Sequence, residues 1–402
     1  MQQTRALIDP TGSNWSTVIS HQSSVILFHS HSFFLQSNPL SLFLVSVKKL
    51  MKIALLSRNV LSVSSLLFVL ASCDKNDDPA PSPESKLFVS NADTDPSIPN
   101  LEVYSNADMA NMGTSIRIAS GAKDGNGVVY DAGKNMLFQA GRTARTIYYF
   151  NNASSLTAAS TPSGSFTDAS LSSARELAYD NNSNTLFVAN NTDSSIRIYP
   201  NASSASGNVT GRVVKLSAQP WGIFYDGSNN RLLVLMDNAA MRIEVFNNPS
   251  ALTAGIVTPN ATLNISDRPN GGKSRLHGLT YSSRLDVLVV TEIGEAAAPA
   301  VVDLTKPAFN ADGGIYIIEG ARAKLTAGGS VSANRVIYGS STMLGNPVDV
   351  ALDDRDNKGL IYIAEKANKK LLVFKLSDNG NVAPTTTTNV TTLPEAIHLH
   401  TR

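Results

Sequence analysis

The feature that most constrains this chain is a pattern that recurs six times between residues 86 and 402. Each copy holds a short apolar strand, a polar turn, and a second strand that usually ends in an aromatic residue. LFQAG…TIYYFNNAS and LFVAN…SIRIYPNAS are two neighbouring copies. A repeat of this length indicates that one supersecondary unit is copied around a larger architecture. Equivalent positions lie 50, 49, 46, 55 and 74 residues apart, at Leu87, Leu137, Leu186, Leu232, Val287 and Ile361.

Each of the last five copies is preceded by another short strand that ends in a turn. Alternating β-branched and aromatic residues, punctuated by Asn, Asp and Gly, are typical of strands rather than helices. A weaker fourth strand, such as GRVVKLS, separates the copies. Four strands in roughly 45 to 50 residues predict a β-propeller blade. The preceding strands read GVVYD from Gly127, ELAYD from Glu176, GIFYD from Gly222, GLTYS from Gly278 and DVALD from Asp349.

The number of blades follows from the two ends of the repeat. Nothing like GIFYD precedes the first copy, but the C-terminal LPEAIHLHTR aligns with QPWGIFYDGS. A C-terminal strand that completes the first blade would close the ring and leave no open radial edge. The longest step contains an insertion at 293–313 without a second copy of the pattern. We therefore predict an all-β, six-bladed propeller with four-stranded antiparallel blades over residues 86–402.

These motifs resemble a known type of repeat. The inner strand G-[IV]-x-[YV]-D, a turn with Asn, then [LI]-[FY]-V-A-[DN] and I-x-V-[YF], is similar to the NHL-type repeats of TolB-like six-bladed propellers. The resemblance covers nearly all of residues 86–402 and implies the same ring. An acid or amide ends the second strand at Asn91, Asn190 and Glu365, whereas the other three blades depart from this pattern.

The segment before the repeats is typical of an exported lipoprotein. From Met51, a basic start and an apolar run lead to LASC, which predicts a signal peptide over residues 51–72. LASC resembles the bacterial lipobox, which implies cleavage before Cys73 and acylation of its sulfur and amine. Cys73 is the only cysteine in the chain, so no intrachain disulfide can form. We expect Cys73 to be a lipid anchor to the membrane.

Residues 73–85 are acidic and proline-rich, and they predict a tether that cannot pack into a core. The acids behind the cysteine resemble the surface-export signal of Bacteroidetes lipoproteins. This implies a cell-envelope protein at the outer membrane, facing the periplasm or the surface. Residues 1–50 precede a complete signal peptide. We interpret them as lying before the true start at Met51, with an unusually long leader as the alternative.

Charge and motifs narrow the function classes. From Cys73 onward the chain has 28 basic and 31 acidic residues, and no basic patch with interleaved aromatics. Nucleic acid is therefore not an expected partner. The sequence contains no G-x-S-x-G, H-E-x-x-H or C-x-x-C motif. It predicts no cofactor and no metal, and it assigns no catalytic residue.

The candidate site follows from strand direction. Because strands alternate in a blade, loops into the inner strands and loops between the second and third strands share one face of the ring. We call this the loop face, and with the channel it is the expected binding site. Its candidate residues differ from blade to blade, which a purely structural repeat does not require. The alternative is that they are ordinary loop residues and that Trp221 packs between blades. The candidates are Arg175, Glu176, Trp221, Arg275, His277, Asn346, Asp349 and Glu395.

Three functions remain open from the sequence. The leading hypothesis is a binding or interaction module for a protein, peptide or glycan. The runner-up is a metal-dependent hydrolase, because propellers that resemble sugar lactonases hold a divalent cation with Glu, Asn and Asp. Here that set would be Glu176, Asn346 and Asp349, if the three side chains converge in the channel. The third is a scaffold within a larger envelope complex.

Overall fold

The computed structural model describes residues 84–95, 97–237, 240–269, 275–294 and 312–402. The predictions for the leader, the signal peptide, Cys73 and most of the tether lie outside these residues. Most of the insertion in the longest repeat also lies outside them. Within the described part of the chain, no helix has the length and hydropathy that a membrane span requires.

The strands form six sheets, one for each predicted blade. They are described in chain order under the repeat that contains them, although three short strands pair with the sheet of the preceding blade. Blade 1 contains β1 (Ser85–Asn91), β2 (Leu101–Tyr104) and β3 (Ile116–Ile118). Blade 2 contains β4 (Gly125–Asp131), β5 (Met136–Gly141), β6 (Thr146–Asn151) and β7 (Gly164–Thr167). Blade 3 contains β8 (Ala174–Asp180), β9 (Thr185–Asn190) and β10 (Ser195–Pro200), then β11 (Gly207–Asn208) and β12 (Arg212–Lys215). Short 3-10 turns follow β6 and β10, at Ala153–Ser155 and Ala202–Ser204.

The second half of the ring repeats this order. Blade 4 contains β13 (Pro220–Asp226), β14 (Arg231–Met236), β15 (Arg242–Asn247), a 3-10 turn (Pro249–Ala251), β16 (Gly255–Ile256) and β17 (Ala261–Ser266). Blade 5 contains β18 (Arg275–Ser282), β19 (Val287–Ile293), β20 (Gly314–Glu319), helix α1 (Ala321–Ala327), β21 (Gly329–Ser332) and β22 (Arg335–Tyr338). Blade 6 contains β23 (Pro347–Asp353), β24 (Leu360–Glu365), β25 (Lys370–Lys375) and β26 (Thr386–Asn389), and β27 (Pro394–Thr401) follows.

The C-terminal strand closes the ring as predicted. β27 pairs antiparallel with β1, with Leu87 opposite Leu399, and becomes the innermost strand of blade 1. It also packs against β23 of blade 6 on one side and β4 of blade 2 on the other. The six-bladed, ring-closed fold is therefore confirmed.

A further strand joins some neighbouring blades at their outer edges. The two-residue strands β11 and β16 and the longer β21 each come from one blade and pair in parallel with the outer strand of the preceding blade. Blades 2, 3 and 4 thus become five-stranded sheets. This addition covers edges that would otherwise expose unpaired backbone groups.

The apolar core is divided among the spaces between blades. Six clusters of buried side chains correspond to the six blade-to-blade contacts. Between blades 1 and 2, for example, Phe88 and Leu101 pack with Val128 and Leu137. Strand side chains alternate between two faces, so each blade contributes to two clusters. Burial of these layers supplies the main driving force for closing the ring.

A tyrosine and an asparagine secure the turns after several inner strands. Tyr179 donates a hydrogen bond of 2.8 Å to the Oδ1 of Asn184, and Tyr225 donates one of 3.1 Å to Asn230. Both asparagines adopt positive φ, at 52° and 46°, a conformation that asparagine tolerates better than most residues. This hydrogen bond explains why tyrosine, in the Tyr-Asp pair, and asparagine recur in the repeat: together they fix the turn after the inner strand.

Candidate functional site

The inner strands carry a β-bulge near the loop face. In blade 3, for example, the pairing register with the second strand shifts between Ala174 and Leu177. A bulge releases residues from the ladder and re-aims their side chains. The polar and aromatic residues that distinguish the blades stand at these shifts, which explains how a repetitive scaffold presents unlike groups. The bulged positions hold Asn126, Arg175, Trp221, His277, Val348 and Glu395.

The next position along each inner strand is small in four blades and acidic in two. A Cβ on Gly222 would lie 2.5 Å from the carbonyl oxygen of His277, and one on Gly278 would lie 2.7 Å from the Cα of Asp349. Glycine therefore lets neighbouring inner strands approach closely. Glu176 and Asp349 occupy the equivalent positions of blades 3 and 6, which face each other across the ring.

Glu176 and Asp349 meet in the channel, with their carboxyl groups within hydrogen-bonding reach of each other. Backbone N–H groups hold both: Leu177 donates to Glu176 at 2.9 Å, and Val350 and Ile397 donate to Asp349 at 2.8 and 2.7 Å. Burial raises the pKa of Glu176, and the charge of Asp349 adds to that effect. Burial also raises the pKa of Asp349. Two adjacent buried carboxylates repel each other, so the pair retains a shared proton near neutral pH.

A three-membered stack lies on the loop-face side of this pair. The rings of Trp221 and His277 lie parallel, 3.7 Å apart and inclined by 9°. The guanidinium of Arg175 lies 4.1 Å from the centre of the Trp221 ring, a cation–π contact. Arg175 also contacts the side-chain oxygen of Asn126 at 3.4 Å. We call Arg175, Trp221 and His277, together with Glu395, the mouth layer.

Glu395 is the anionic member of the mouth layer. Its carboxylate pairs with Lys366 and lies 3.5 Å from Arg175. Burial alone would raise the pKa of Glu395, but Lys366 and Arg175 outweigh burial and hold that pKa below its usual range. Glu395 is therefore ionised, in contrast to the shared-proton pair beside it.

His277 is 2% exposed and lies 3.5 Å from the Asp237 carboxylate. Burial lowers the pKa of His277 even though Asp237 opposes the shift, so the imidazole is neutral at pH 7. Four buried atoms of the mouth layer have no hydrogen-bond partner among the described residues. They are Arg175 Nε, Glu395 Oε1 and both ring nitrogens of His277. Unpartnered buried polar groups are costly and call for an explanation.

The remaining predicted site residues lie at the edge of this arrangement. Arg275 is partly exposed, and its guanidinium lies 3.8 Å from Asp237. Asn346 is tied to its own loop: its N–H donates to the Glu365 carboxylate, and its carbonyl accepts the N–H of Lys366 at 3.1 Å. Burial raises the pKa of Glu365 to about 7, although four backbone N–H groups donate to its carboxylate.

Sequence reasoning missed two partners of the mouth layer, Lys366 and Asp237. Each directly follows the last residue of a second strand, Glu365 in blade 6 and Met236 in blade 4. That position begins the turn between the second and third strands, which the sequence already places on the loop face. Neither residue belongs to a recognisable motif. The position of each in the turn between the second and third strands was therefore the one signal that could have identified it.

The carboxyl groups in the channel do not by themselves form a divalent-metal site. Glu176 and Asp349 meet, but backbone N–H groups occupy their oxygens and the two groups share a proton. The Glu365 loop holds only the backbone of Asn346, and the buried side-chain oxygen of Asn346 accepts no hydrogen bond from the described residues. In the described ranges, no three His, Cys, Asp or Glu side chains are arranged to hold a metal. A cation would need oxygen ligands that are free to turn toward it.

The channel widens on the other side of the carboxyl pair. A cavity of about 350 Å³ extends from Glu176 and Asp349 toward the face opposite the loop face. Its wall includes Phe224 and His398. Burial lowers the pKa of His398 to about 4, so this imidazole is neutral at physiological pH.

Comparisons with known proteins bear on the fold. No protein-family model matches the sequence, and no curated protein sequence matches it. A chain of the nidogen–laminin complex is similar in structure, with a TM-score of 0.52 and 14% identity over 79% of this chain and 98% of that one. A predicted 6-phosphogluconolactonase of Bacteroides fragilis is also similar in structure, with a TM-score of 0.53 and 10% identity over 80% of this chain and 100% of that one.

A second predicted 6-phosphogluconolactonase, from Bacteroides uniformis, gives a TM-score of 0.52 and 10% identity over 79% of this chain and 99% of that one. At such identities the likeness shows the fold alone. Fold and strand order together define the class: the chain is a six-bladed β-propeller protein. Beyond that class, its function is argued from the channel residues.

Proposed function

We propose that this protein is a lipid-anchored binding module of the cell envelope, whose loop face and mouth layer engage a protein, peptide or glycan. The observation that carries the proposal is the mouth layer. Four blades each contribute a different group, and these groups meet at the loop-face end of the channel. Stability of the ring does not require unlike residues at equivalent positions.

The chemistry of the mouth layer favours binding over scaffolding. It combines an aromatic ring, a guanidinium, a carboxylate and a neutral imidazole within one contact network. Tryptophan and arginine are the residues most enriched where binding energy is concentrated. Arg175 Nε and His277 Nδ1 have no hydrogen-bond partner among the described residues and belong to neither of the ion pairs of their side chains, so they are groups that a polar ligand can satisfy. Glycan hydroxyls and peptide amides both supply such partners.

Arrays of glycans and peptides test this proposal and separate the two chemistries. The labelled wild-type protein should bind a restricted set of one class, and Arg175→Met should weaken that signal by about tenfold or more. The control is Asp356→Asn, because the Asp356 side chain is 89% exposed on the opposite face. Binding by folded Arg175→Met that equals wild type would refute a role for the mouth layer.

The second candidate is a lactonase-like hydrolase. The meeting of two buried carboxyl groups beside a cavity favours it, because raised carboxyl pKa values suit acid–base chemistry. Among the described residues, no three His, Cys, Asp or Glu side chains are arranged to hold the divalent metal that such hydrolases use, so this candidate ranks second. Turnover of sugar lactones by wild type, with loss of turnover in Glu176→Gln, would reverse the ranking.

A further inference from the structure

The cavity on the far side of the carboxyl pair is a second feature that the mouth layer does not use. It lies between Glu176 and Asp349 at its inner end and the turns of the face opposite the loop face at its outer end. Asp131 and Asp354 line it near those turns. Its volume of about 350 Å³ falls within the usual range for small-molecule pockets, roughly 300 to 1,000 Å³.

The charge of the cavity has one sign. Four carboxyl groups line it, those of Asp131, Glu176, Asp349 and Asp354, and no lysine or arginine is among its described lining residues. His398 also lines it, but burial keeps that imidazole neutral. The basic residues closest to the carboxyl pair, Arg175 and Lys366, contact Glu395 on the loop-face side. The charged groups that line the cavity are therefore all acidic, and the nearby Arg284 lies outside the lining, 3.8 Å from Asp354 at the outer end.

The residues that line the cavity favour an organic cation over a metal ion. Val129, Ala178, Phe224 and Ala351 line the cavity and provide apolar contact for a hydrocarbon group. Two carboxyl groups are too few ligands for a metal shell, and in the described part of the chain no third His, Cys, Asp or Glu side chain joins them in an arrangement that could hold a metal. A primary ammonium instead donates short hydrogen bonds to a carboxylate while its chain stays against apolar walls.

We propose that this cavity binds a small primary ammonium ligand, with its charged head on Glu176 and Asp349 and its hydrocarbon part toward Phe224. The two carboxyl groups reach this point from opposite blades, at positions where three other blades carry glycine. The scaffold thus replaces its usual glycine at both of these places with an acid. This site is independent of the proposed function, because the mouth layer lies on the other side of the pair.

Binding of an ammonium should release a proton. Without a cation the two buried carboxyl groups share one proton, because both cannot ionise side by side. An ammonium between them compensates the second negative charge and lets that proton leave. The other charged groups around the pair are Glu395, Arg175 and Lys366 on the loop-face side, and Asp131 and Asp354 at the outer end, where Arg284 lies beside Asp354. The titratable imidazoles are those of His277 and His398, and burial lowers the pKa of both, so they stay neutral over this range. Affinity should therefore rise with pH from pH 5 to pH 8.

Calorimetry on the full-length protein tests this with benzylammonium as the probe. Benzyl alcohol and benzoate are the neutral and anionic comparisons, and they need no variant. We expect wild type to bind benzylammonium at least about tenfold more tightly than either comparison, since the charge-assisted contacts are lost in both. Titrations in two buffers of different ionisation enthalpy should show release of about one proton per ligand. Equal binding of the ammonium and the alcohol would overturn the proposal.

Variants locate the site. Glu176→Gln and Asp349→Asn should each weaken benzylammonium binding by about tenfold or more and abolish the proton release. Asp95→Asn is the control, because Asp95 is an exposed acid in a loop-face turn. Equal weakening by the control, or displacement of the amine by millimolar calcium, would contradict the assignment. Failure of amine binding leaves the array experiment on the mouth layer unaffected, so the two proposals fail separately.

Discussion

At the scale of single residues, each inner strand has one position for the scaffold and one for function. The position after the bulge is glycine in blades 2, 4 and 5, where the next inner strand passes too close for a side chain. The bulged position itself varies and supplies the mouth layer. The repeat motif that identifies the fold thus comes mainly from the position after the bulge, and the mouth layer comes from the bulged position. Glu176 and Asp349 are the exceptions, because they are candidate site residues at the position after the bulge.

Gly222→Ala tests the close approach of neighbouring inner strands. Its new Cβ would lie 2.5 Å from a backbone oxygen that cannot move without shifting blade 5. We expect the free energy of unfolding to fall by about 2 kcal/mol, a typical cost of overpacking. Gly227→Ala is the matched control, because its nearest atom would be 3.6 Å away. Urea unfolding measures both, and equal stability of the two variants would refute the packing argument.

The carboxyl pair should make stability depend on pH. An unfolded glutamate loses its proton near about pH 4.3, whereas the buried pair keeps one to higher pH. The folded state then binds more protons than the unfolded state, so stability falls as pH rises between those values. In Glu176→Gln, the side-chain amide donates a hydrogen bond to Asp349 without taking up a proton, so this fall in stability at higher pH is removed.

The stability of Glu176→Gln relative to wild type should therefore increase by about 1 kcal/mol between pH 5 and pH 8. Urea unfolding at the two pH values gives the comparison. Asp95→Asn should show no such trend, because the pKa of the exposed Asp95 is already lowered by its hydrogen bonds to Ser97. If the difference in the free energy of unfolding between Glu176→Gln and wild type is the same at pH 5 and pH 8, the pair does not share a proton.

At the scale of elements, the strands of the ring were predictable and the outer connections were not. Short-range sequence patterns predict the strands and their turns. They also reveal an unpaired C-terminal strand, so β27 could be assigned to blade 1. The pairing of β11, β16 and β21 with the preceding blades depends on two- to four-residue contacts with no periodic signal. The bulges were hidden for the same reason. The eight candidate residues could be named, and the lactonase-like alternative raised the possibility that Glu176, Asn346 and Asp349 converge. The sequence could not decide which of them meet, because Glu176 and Asp349 lie 173 residues apart.

Removal of β27 should open the ring. A chain that ends at Leu393 loses the inner strand of blade 1 and the apolar contacts of Ala396 and Ile397 with two neighbouring blades. We expect it to lose its cooperative thermal transition, followed by circular dichroism. A chain that ends at Thr401 is the control and should unfold as wild type does. A cooperative transition in the shorter chain would show that closure by this strand is dispensable.

At the scale of the whole molecule, we propose that acylated Cys73 anchors the propeller to the envelope membrane. The lipobox-like sequence before Cys73 supports this proposal.

Cys73→Ser tests the anchor. Without the thiol, acylation cannot occur, and the protein should move from the membrane fraction to the soluble fraction. Incorporation of labelled palmitate followed by fractionation measures both effects. Ser72→Thr is a control that retains the thiol. Membrane retention of Cys73→Ser without label would contradict lipid anchoring at this residue.

The central claim is that the protein binds its partner through the loop-face end of the channel. A photo-cross-linking residue in place of Arg275 places the probe beside the mouth layer, and the same residue in place of Asp356 places it on the opposite face. In intact cells, we predict one discrete partner cross-linked from position 275 and not from position 356, with the product lost when Arg175→Met is added. Equal products from both positions, or a product at position 275 that survives Arg175→Met, would contradict the account.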